Sequence, residues 1–269
     1  MHGRHPLGRR CVRATAEGEP MADAEAGRRV RVTVVADNNG PVPDGVHPSP
    51  RLGTAWGFAC VVETGDERIL FDTGSDGTML IANMVVLGID PTAIDTLVIS
   101  HEHWDHVGGV DALLDAGARP VAYVPRSFTD EFRERLAARI TVVEVTGQVS
   151  VGEHARTTGE LGTSVVEQAL VAPSAEGLVV ITGCAHPGIA HIVRSAAAGD
   201  RVALVVGGFH LKDADEREIT ETVEELRGLG VMRMAPTHCT GDAARARFAL
   251  EFGDDYIPVG VGTVIEAGG

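Results

Sequence analysis

Runs of Val, Leu and Ile alternate with polar, amphipathic stretches along most of the chain, a rhythm of short strands and helices. Val30 to Ala36, rich in Val, predicts the first strand. Trp56 to Glu63 and Arg68 to Phe71 predict two more, joined by the hairpin turn Thr64-Gly65-Asp66-Glu67. Gly77 to Leu87 reads as a helix capped by Ser75 and stopped at Gly88. The apolar run Thr96-Leu97-Val98-Ile99-Ser100 predicts a buried strand, and Val107 to Ala116 a helix with Gly108-Gly109 near its start. Pro120 to Val124 predicts a strand, Phe128 to Ala138 a charged amphipathic helix, and Ile140 to Val145 with Gln148 to Val151 further strands. Leu178 to Thr182, Val202 to Val206 and Val231 to Ala235 predict buried strands in the second half. Pro187 starts a helix, and amphipathic helices over Asp213 to Leu229 and Asp242 to Phe252 belong outside the sheets.

Two stretches break the rhythm. Residues 1–28 carry Arg4, Arg9, Arg10 and Arg13 with no acid before Glu17 and no apolar core of a secretory signal. They read as a disordered tail, or as an upstream start with Met21 the real beginning, which leaves residues 29–269 as a single domain. After the first strand, Asp37-Asn38-Asn39-Gly40-Pro41 opens a polar loop to about Gly53, and a loop that long inside a compact domain is functional or mobile.

Length and charge narrow the picture. At 269 residues the fold needs no disulfide staples, and the four cysteines, Cys11, Cys60, Cys184 and Cys239, show no C-x-x-C spacing. A reducing cytoplasm is the simplest setting. The formal charge of −15 argues against a nucleic-acid backbone as partner, and no apolar run approaches the ~20 residues that span a bilayer. A small molecule is the expected partner; oligomeric state leaves no mark in the sequence.

The chemistry concentrates in His101-Glu102-His103-Trp104-Asp105-His106, directly after a predicted strand. Side chains alternate in an extended segment, so His101 and His103 point the same way, as two ligands of one ion should. Asp105 and His106 follow where the alternation ends and can serve a neighbouring ion. Each later Val-rich strand also ends at a histidine: His186 after Gly183-Cys184-Ala185, His210 after Gly207-Gly208-Phe209, and His238 after Thr237. Loops at one sheet edge are where a shared site assembles. His154 and His191 lack such placement and read as surface residues, as do His2, His5 and His47 in the tail and the long loop.

The six-residue stretch resembles the H-x-H-x-D-H signature of the metallo-β-lactamase fold superfamily. Further matches include Ile69 to Gly74, Thr182 to Gly188, Gly207 to His210 and Pro236 to Gly241. Together they resemble the 7,8-dihydropterin-6-methyl-4-(β-D-ribofuranosyl)aminobenzene 5′-phosphate synthase-like branch. The resemblance implies an α/β fold, a four-layer αββα sandwich with rough internal symmetry. It places His101, His103 and His186 on one metal ion, and Asp105, His106 and His238 on the second. Asp72 becomes a structural acid that props the ligand loop, and Asn38, Asn39, Phe209 and His210 line the substrate side. Most two-metal members carry a bridging Asp where this chain has Gly207-Gly208, and His210 is the nearest replacement. Cys184 and Cys239 flank the ligands; small apolar packing is their favoured role, with thiolate ligation the alternative.

Three functional readings follow. The first is a metal-dependent hydrolase of a small phosphorylated or carbonyl substrate, in which two divalent ions generate hydroxide at neutral pH and Asp105 and His210 assist. Zinc is the default, with manganese and iron as alternatives. The second is the synthase reaction that the resemblance implies, carbon–carbon bond formation with loss of pyrophosphate. The third is a non-catalytic metal-binding sensor.

Overall fold

The computed structural model describes residues 11–13, 28–42 and 51–269. The first strands are β1 (Cys11–Arg13), β2 (Val30–Asp37), β3 (Phe58–Thr64) and β4 (Glu67–Phe71), followed by helix α1 (Gly77–Val86). Next come β5 (Thr96–Val98), α2 (Trp104–Val107), α3 (Val110–Asp115), β6 (Val121–Pro125), α4 (Asp130–Ala137) and β7 (Thr141–Val145). The second half holds β8 (Val149–Val151), β9 (Ala155–Thr157), β10 (Leu170–Ser174), β11 (Gly177–Thr182) and α5 (Ile189–Ala197). It closes with β12 (Val202–Gly208), α6 (Glu216–Gly228), β13 (Arg233–Thr237), α7 (Asp242–Phe252) and β14 (Val264–Ala267).

The strands form two sheets, ordered β1-β7-β6-β5-β4-β3-β2-β14 and β13-β12-β11-β10-β9-β8. Alternation along each strand sorts its residues between two cores. In β3, Phe58, Cys60 and Val62 face the second sheet, while Ala59 and Val61 face α1, α3 and α4. In β11, Val179 and Ile181 face the first sheet, whereas Leu178 and Val180 face α5, α6 and α7. Apolar side chains on both faces explain the unbroken Val-rich runs of the inner strands. The result is the four-layer αββα sandwich.

Parallel pairing then gathers the strand ends at one edge. Phe71 of β4 is level with Val98 of β5; Thr182, Gly207 and Pro236 lie in register across β11, β12 and β13. The chain leaves each of these strands on the same side, which is where ligands collect in parallel sheets.

Several elements differ from the sequence expectation. Asp76, not Ser75, caps α1, accepting the Met79 N–H at 3.0 Å. The single helix expected over Val107 to Ala116 is split into α2 and α3 at Gly108-Gly109. A Cβ on Gly108 would lie 2.4 Å from the Ser75 carbonyl oxygen, and one on Gly109 2.3 Å from that of Thr73, so the break is a close crossing of two chain segments. Cys11–Arg13, placed in the tail by the sequence, pairs in parallel with β7; the rest of the tail to residue 27, with His2 and His5, lies outside the described residues. So do residues 43–50 of the polar loop, His47 among them.

Candidate metal centre

The loop after β5 is built around a buried carboxylate. Asp72, at the end of β4, accepts the Ser100 N–H on Oδ1 and the Ser100 hydroxyl on Oδ2, both at 2.7 Å. The same Oδ2 meets His106 Nδ1 at 2.7 Å, and Ser100 Oγ in turn meets His101 Nδ1 at 2.8 Å. One carboxylate therefore fixes two imidazoles, directly and through a hydroxyl.

The second half repeats the device with Glu167, just before β10. Its Oε1 accepts the N–H groups of Gly183, Cys184 and Ala185 at 3.1, 2.9 and 2.9 Å. Its Oε2 takes the His186 N–H and Nδ1, each at 3.0 Å. His238 is held from β2: Asn38 Oδ1 lies 2.7 Å from its Nδ1. Behind that contact, Thr237 and Asn39 donate to the buried Asp37 carboxylate.

All four imidazoles thus spend Nδ1 on an oxygen, and Nε2 is the nitrogen left to bind something else. His101 Nε2 is buried without a hydrogen-bond partner, and His238 Nε2 lies 3.3 Å from Asp105 Oδ2. Donor atoms converge in three groups, each within 4.8 Å of one another: His101, Cys184 and His186; Asp105, His106, Cys184 and His238; and Cys184, His210 and Cys239. The local backbone is forced to deliver them. Among the described residues five non-glycines have positive φ, and four of these, Asp72, Ala185, His210 and His238, stand in the site loops.

The charge states suit cation binding. Burial and the neighbouring His106 hold His101 down at about 3, and burial with His238 holds His106 at about 4, so both rings are neutral ligands at pH 7. Burial works to raise Asp105, but hydrogen bonding from His238 and the nearby imidazoles prevail and keep it well below the usual carboxylate range. A buried, partnerless His101 nitrogen and imidazoles converging on an ionised acid fit a bound metal ion, and the residues present can hold one.

The profile of the metallo-beta-lactamase superfamily matches residues 57–243. The chain belongs to the metallo-β-lactamase superfamily. It is 29% identical over 248 residues to the 7,8-dihydropterin-6-methyl-4-(beta-D-ribofuranosyl)-aminobenzene-5′-phosphate synthase of Methanocaldococcus jannaschii, covering 74% of this chain and 84% of that protein. Among solved structures, Tm1679, a metal-dependent hydrolase of the β-lactamase superfamily, superposes with a TM-score of 0.73 at 28% identity, covering 89% of this chain and all of that one. YhfI from Bacillus subtilis shares the fold at a TM-score of 0.66 and 17% identity over 89% of this chain and 99% of that one. These relatives are named as enzymes of the metallo-β-lactamase fold or carry its fold name, and this metallo-β-lactamase member is an enzyme with a metal cofactor implied by its family.

Set against the sequence reading, His101, Asp105, His106, His186 and His238 all come together. His103 stands at the rim: it is exposed, its ring centroid 4.6 Å from that of His101 and 4.9 Å from that of His186. Asp72 has the propping role expected of it. Phe209 does not line a substrate site. It is buried against Phe248 in the helix-covered core, while the next residue, His210, turns out of it at a left-handed backbone position, φ 53°. Asn38 and Asn39, expected on the substrate side, are half-buried and hydrogen-bond His238 and the Asp37 carboxylate. His210 is exposed beside the centre, its ring 4.4 Å from His186. His191 lies exposed on α5, and His154 packs over the Gly65 turn. Glu167 escaped the sequence reading because no motif surrounds it; its one signal was being an acid just ahead of a strand.

Proposed function

We propose that the chain is a hydrolase of a small phosphorylated or carbonyl substrate, with two divalent ions, zinc first among them, as cofactor. The observation that carries this reading is the convergence of four Nδ1-anchored imidazoles and an ionised Asp105 at one sheet edge. Bound ions would supply Lewis-acid polarisation of the scissile group and acidify water. His101 and His186, with His103 at the rim, would hold one ion; Asp105, His106 and His238 would hold the other.

The chain's own groups supply orientation. Asp105, kept ionised, accepts a hydrogen bond from the attacking water and fixes its approach. A pocket of about 330 Å³ beside the centre is lined by Trp56, His210, Lys212, Asp213, Glu218 and Cys239. That volume is in the range of small-molecule sites. Trp56 packs on His238 with ring centroids 5.0 Å apart, and Lys212 Nζ lies 4.7 Å from the indole centroid. A cation and a flat apolar face next to the ion positions suit an anionic substrate with a planar part. His210, on the pocket wall, is placed to pass a proton to the leaving group.

A small molecule is the partner in this proposal, and nucleic acid and membrane are not, given the charge of −15. No helix among the described residues is long and apolar enough to cross a membrane. A reducing, cytoplasmic setting belongs to the same proposal, since Cys60, Cys184 and Cys239 are free thiols.

The archaeal relative's name supports a second reading, a synthase that joins a dihydropterin to an aminobenzene riboside phosphate. The deciding experiment is metal analysis of the purified chain joined to two assays. Hydrolysis predicts chelator-sensitive turnover within a panel of phosphate esters and lactones, and no condensation product or pyrophosphate release from a dihydropterin pyrophosphate and the riboside phosphate. Condensation without ester or lactone turnover would favour the synthase. Bound metal with neither activity would sink both.

A further inference from the structure

By the resemblance drawn above, Gly207-Gly208 stand where most two-metal members carry a bridging Asp, and the structure shows why no side chain fits there. A Cβ on Gly207 would lie 2.0 Å from the Thr182 carbonyl oxygen. One on Gly208 would lie 2.5 Å from the Gly183 carbonyl oxygen, 2.7 Å from Cys239 Sγ and 3.2 Å from His238 Cδ2. Sulfur and backbone from neighbouring strand ends already fill that space.

The donor shared by both candidate groups is instead a sulfur. Cys184 is the single residue common to the His101–His186 group and the Asp105–His106–His238 group. Its Sγ lies 3.2 Å from His106 Nε2, and the residue is 4% exposed. Its direction is fixed by the Glu167 cradle, which holds the Cys184 N–H at 2.9 Å, and by the left-handed turn at Ala185, φ 61°. Cys239 belongs only to the third group, with His210.

We propose that the Cys184 thiolate is the ligand shared by the two metal ions, in the role that a bridging carboxylate plays elsewhere in the superfamily. The inference rests on the metal-enzyme reading above. Two zinc–sulfur bonds of ~2.3 Å meeting at a roughly tetrahedral angle set the ions ~3.7 Å apart, within the ~3.5–4 Å of two-metal sites. Binding releases the thiol proton to solvent, and no oxidant or further reactant is needed. A thiolate bridge also favours zinc or iron over manganese or magnesium, because soft sulfur discriminates against hard cations.

The test uses the full chain loaded with cobalt(II), read by absorption rather than turnover. The expected result is a thiolate-to-cobalt charge-transfer band in the near ultraviolet that grows across two equivalents of metal. Cys184→Ser abolishes the band, while Cys239→Ser leaves it. Cys184→Asp keeps two equivalents without the band, as a carboxylate bridge should. X-ray absorption at the zinc edge of the unmutated holoenzyme shows one sulfur at ~2.3 Å per zinc, a readout that holds even if the Cys184 variants fail to fold. Two bound ions with no sulfur contact would overturn the bridge and leave the hydrolase reading standing. A band lost in Cys239→Ser and kept in Cys184→Ser would overturn it too. No metal uptake at all would overturn both readings together.

Discussion

Asp72 and Glu167 are the same device built twice, and their differences are instructive. Both are wholly buried carboxylates at the edge of a sheet, and each anchors a loop that presents imidazoles of the candidate metal centre. Burial alone would push both up. Asp72 is indeed raised to about 7, burial outweighing His101 and the Ser100 donors. Glu167 goes the other way: hydrogen bonding from His186, the nearby His101 and the backbone N–H groups overcome burial and hold it well below the carboxylate range. Asp72 has one backbone N–H, Glu167 has four. At equal depth, the His186 hydrogen bond and the neighbouring His101, with the main-chain donors behind them, decide that Glu167 stays charged.

That contrast can be broken by mutation. The largest effect is expected for Glu167→Ala, which leaves four buried N–H groups without an acceptor and the 183–186 turn unsupported. Metal-free protein should lose about 3–5 kcal/mol in urea unfolding, and the ion held by His186 should dissociate on dialysis. A loss under about 1 kcal/mol would mean that water replaces the carboxylate. Asp72→Asn comes next. Asn keeps an acceptor and tolerates φ 57°, so stability should fall by only about 1–2 kcal/mol while metal affinity drops about 10–100-fold.

The two acids also carry opposite pH signs in the metal-free protein. Asp72 has a raised folded-state pKa, so its contribution is complete below about 3.8 and is lost as pH rises through about 7. Glu167 has a depressed one, so its contribution is present above about 4.5 and fades on acidification. Cation binding next to His106 favours ionised Asp72. Metal affinity, measured against a competing chelator, should therefore climb between about pH 5 and 7, and Asp72→Asn should flatten that part of the climb. The smallest effect is expected at Asn38: Asn38→Ala frees His238 Nδ1 and should cost about 10-fold in affinity for one ion, with stability changed by about 1 kcal/mol.

The same pair marks what the sequence could reveal. Asp72 sits in Phe71-Asp72-Thr73-Gly74 at the end of an apolar run, and the His101–His106 stretch names its own chemistry, so the first half of the centre was legible. The second half hands over single residues from strand ends far apart in the chain, and the strand pattern together with the family match located His186 and His238. Glu167 was hidden because its ligands are backbone N–H groups, which carry no residue identity. β10 was hidden because Pro173 interrupts its pattern, tolerated where Pro173 pairs near the hairpin end opposite Leu178. Facing directions were harder still. Phe209 and His210 are adjacent in the sequence and inhabit opposite worlds, one in the core and one at the pocket. Asn38 and Asn39 lie close to the centre, as read, but proximity did not say that they grip a ligand.

The crowding at Gly208 also constrains the history open to this protein. Trimming Cys239 would remove one obstacle to a side chain there, yet the Gly183 carbonyl oxygen at 2.5 Å is main chain and no substitution deletes it. A lineage that wanted an acid at this point would first have to reroute the 183–186 turn, and with it His186. Any side chain at residue 208 of this chain would therefore disturb the centre unless that turn moved with it.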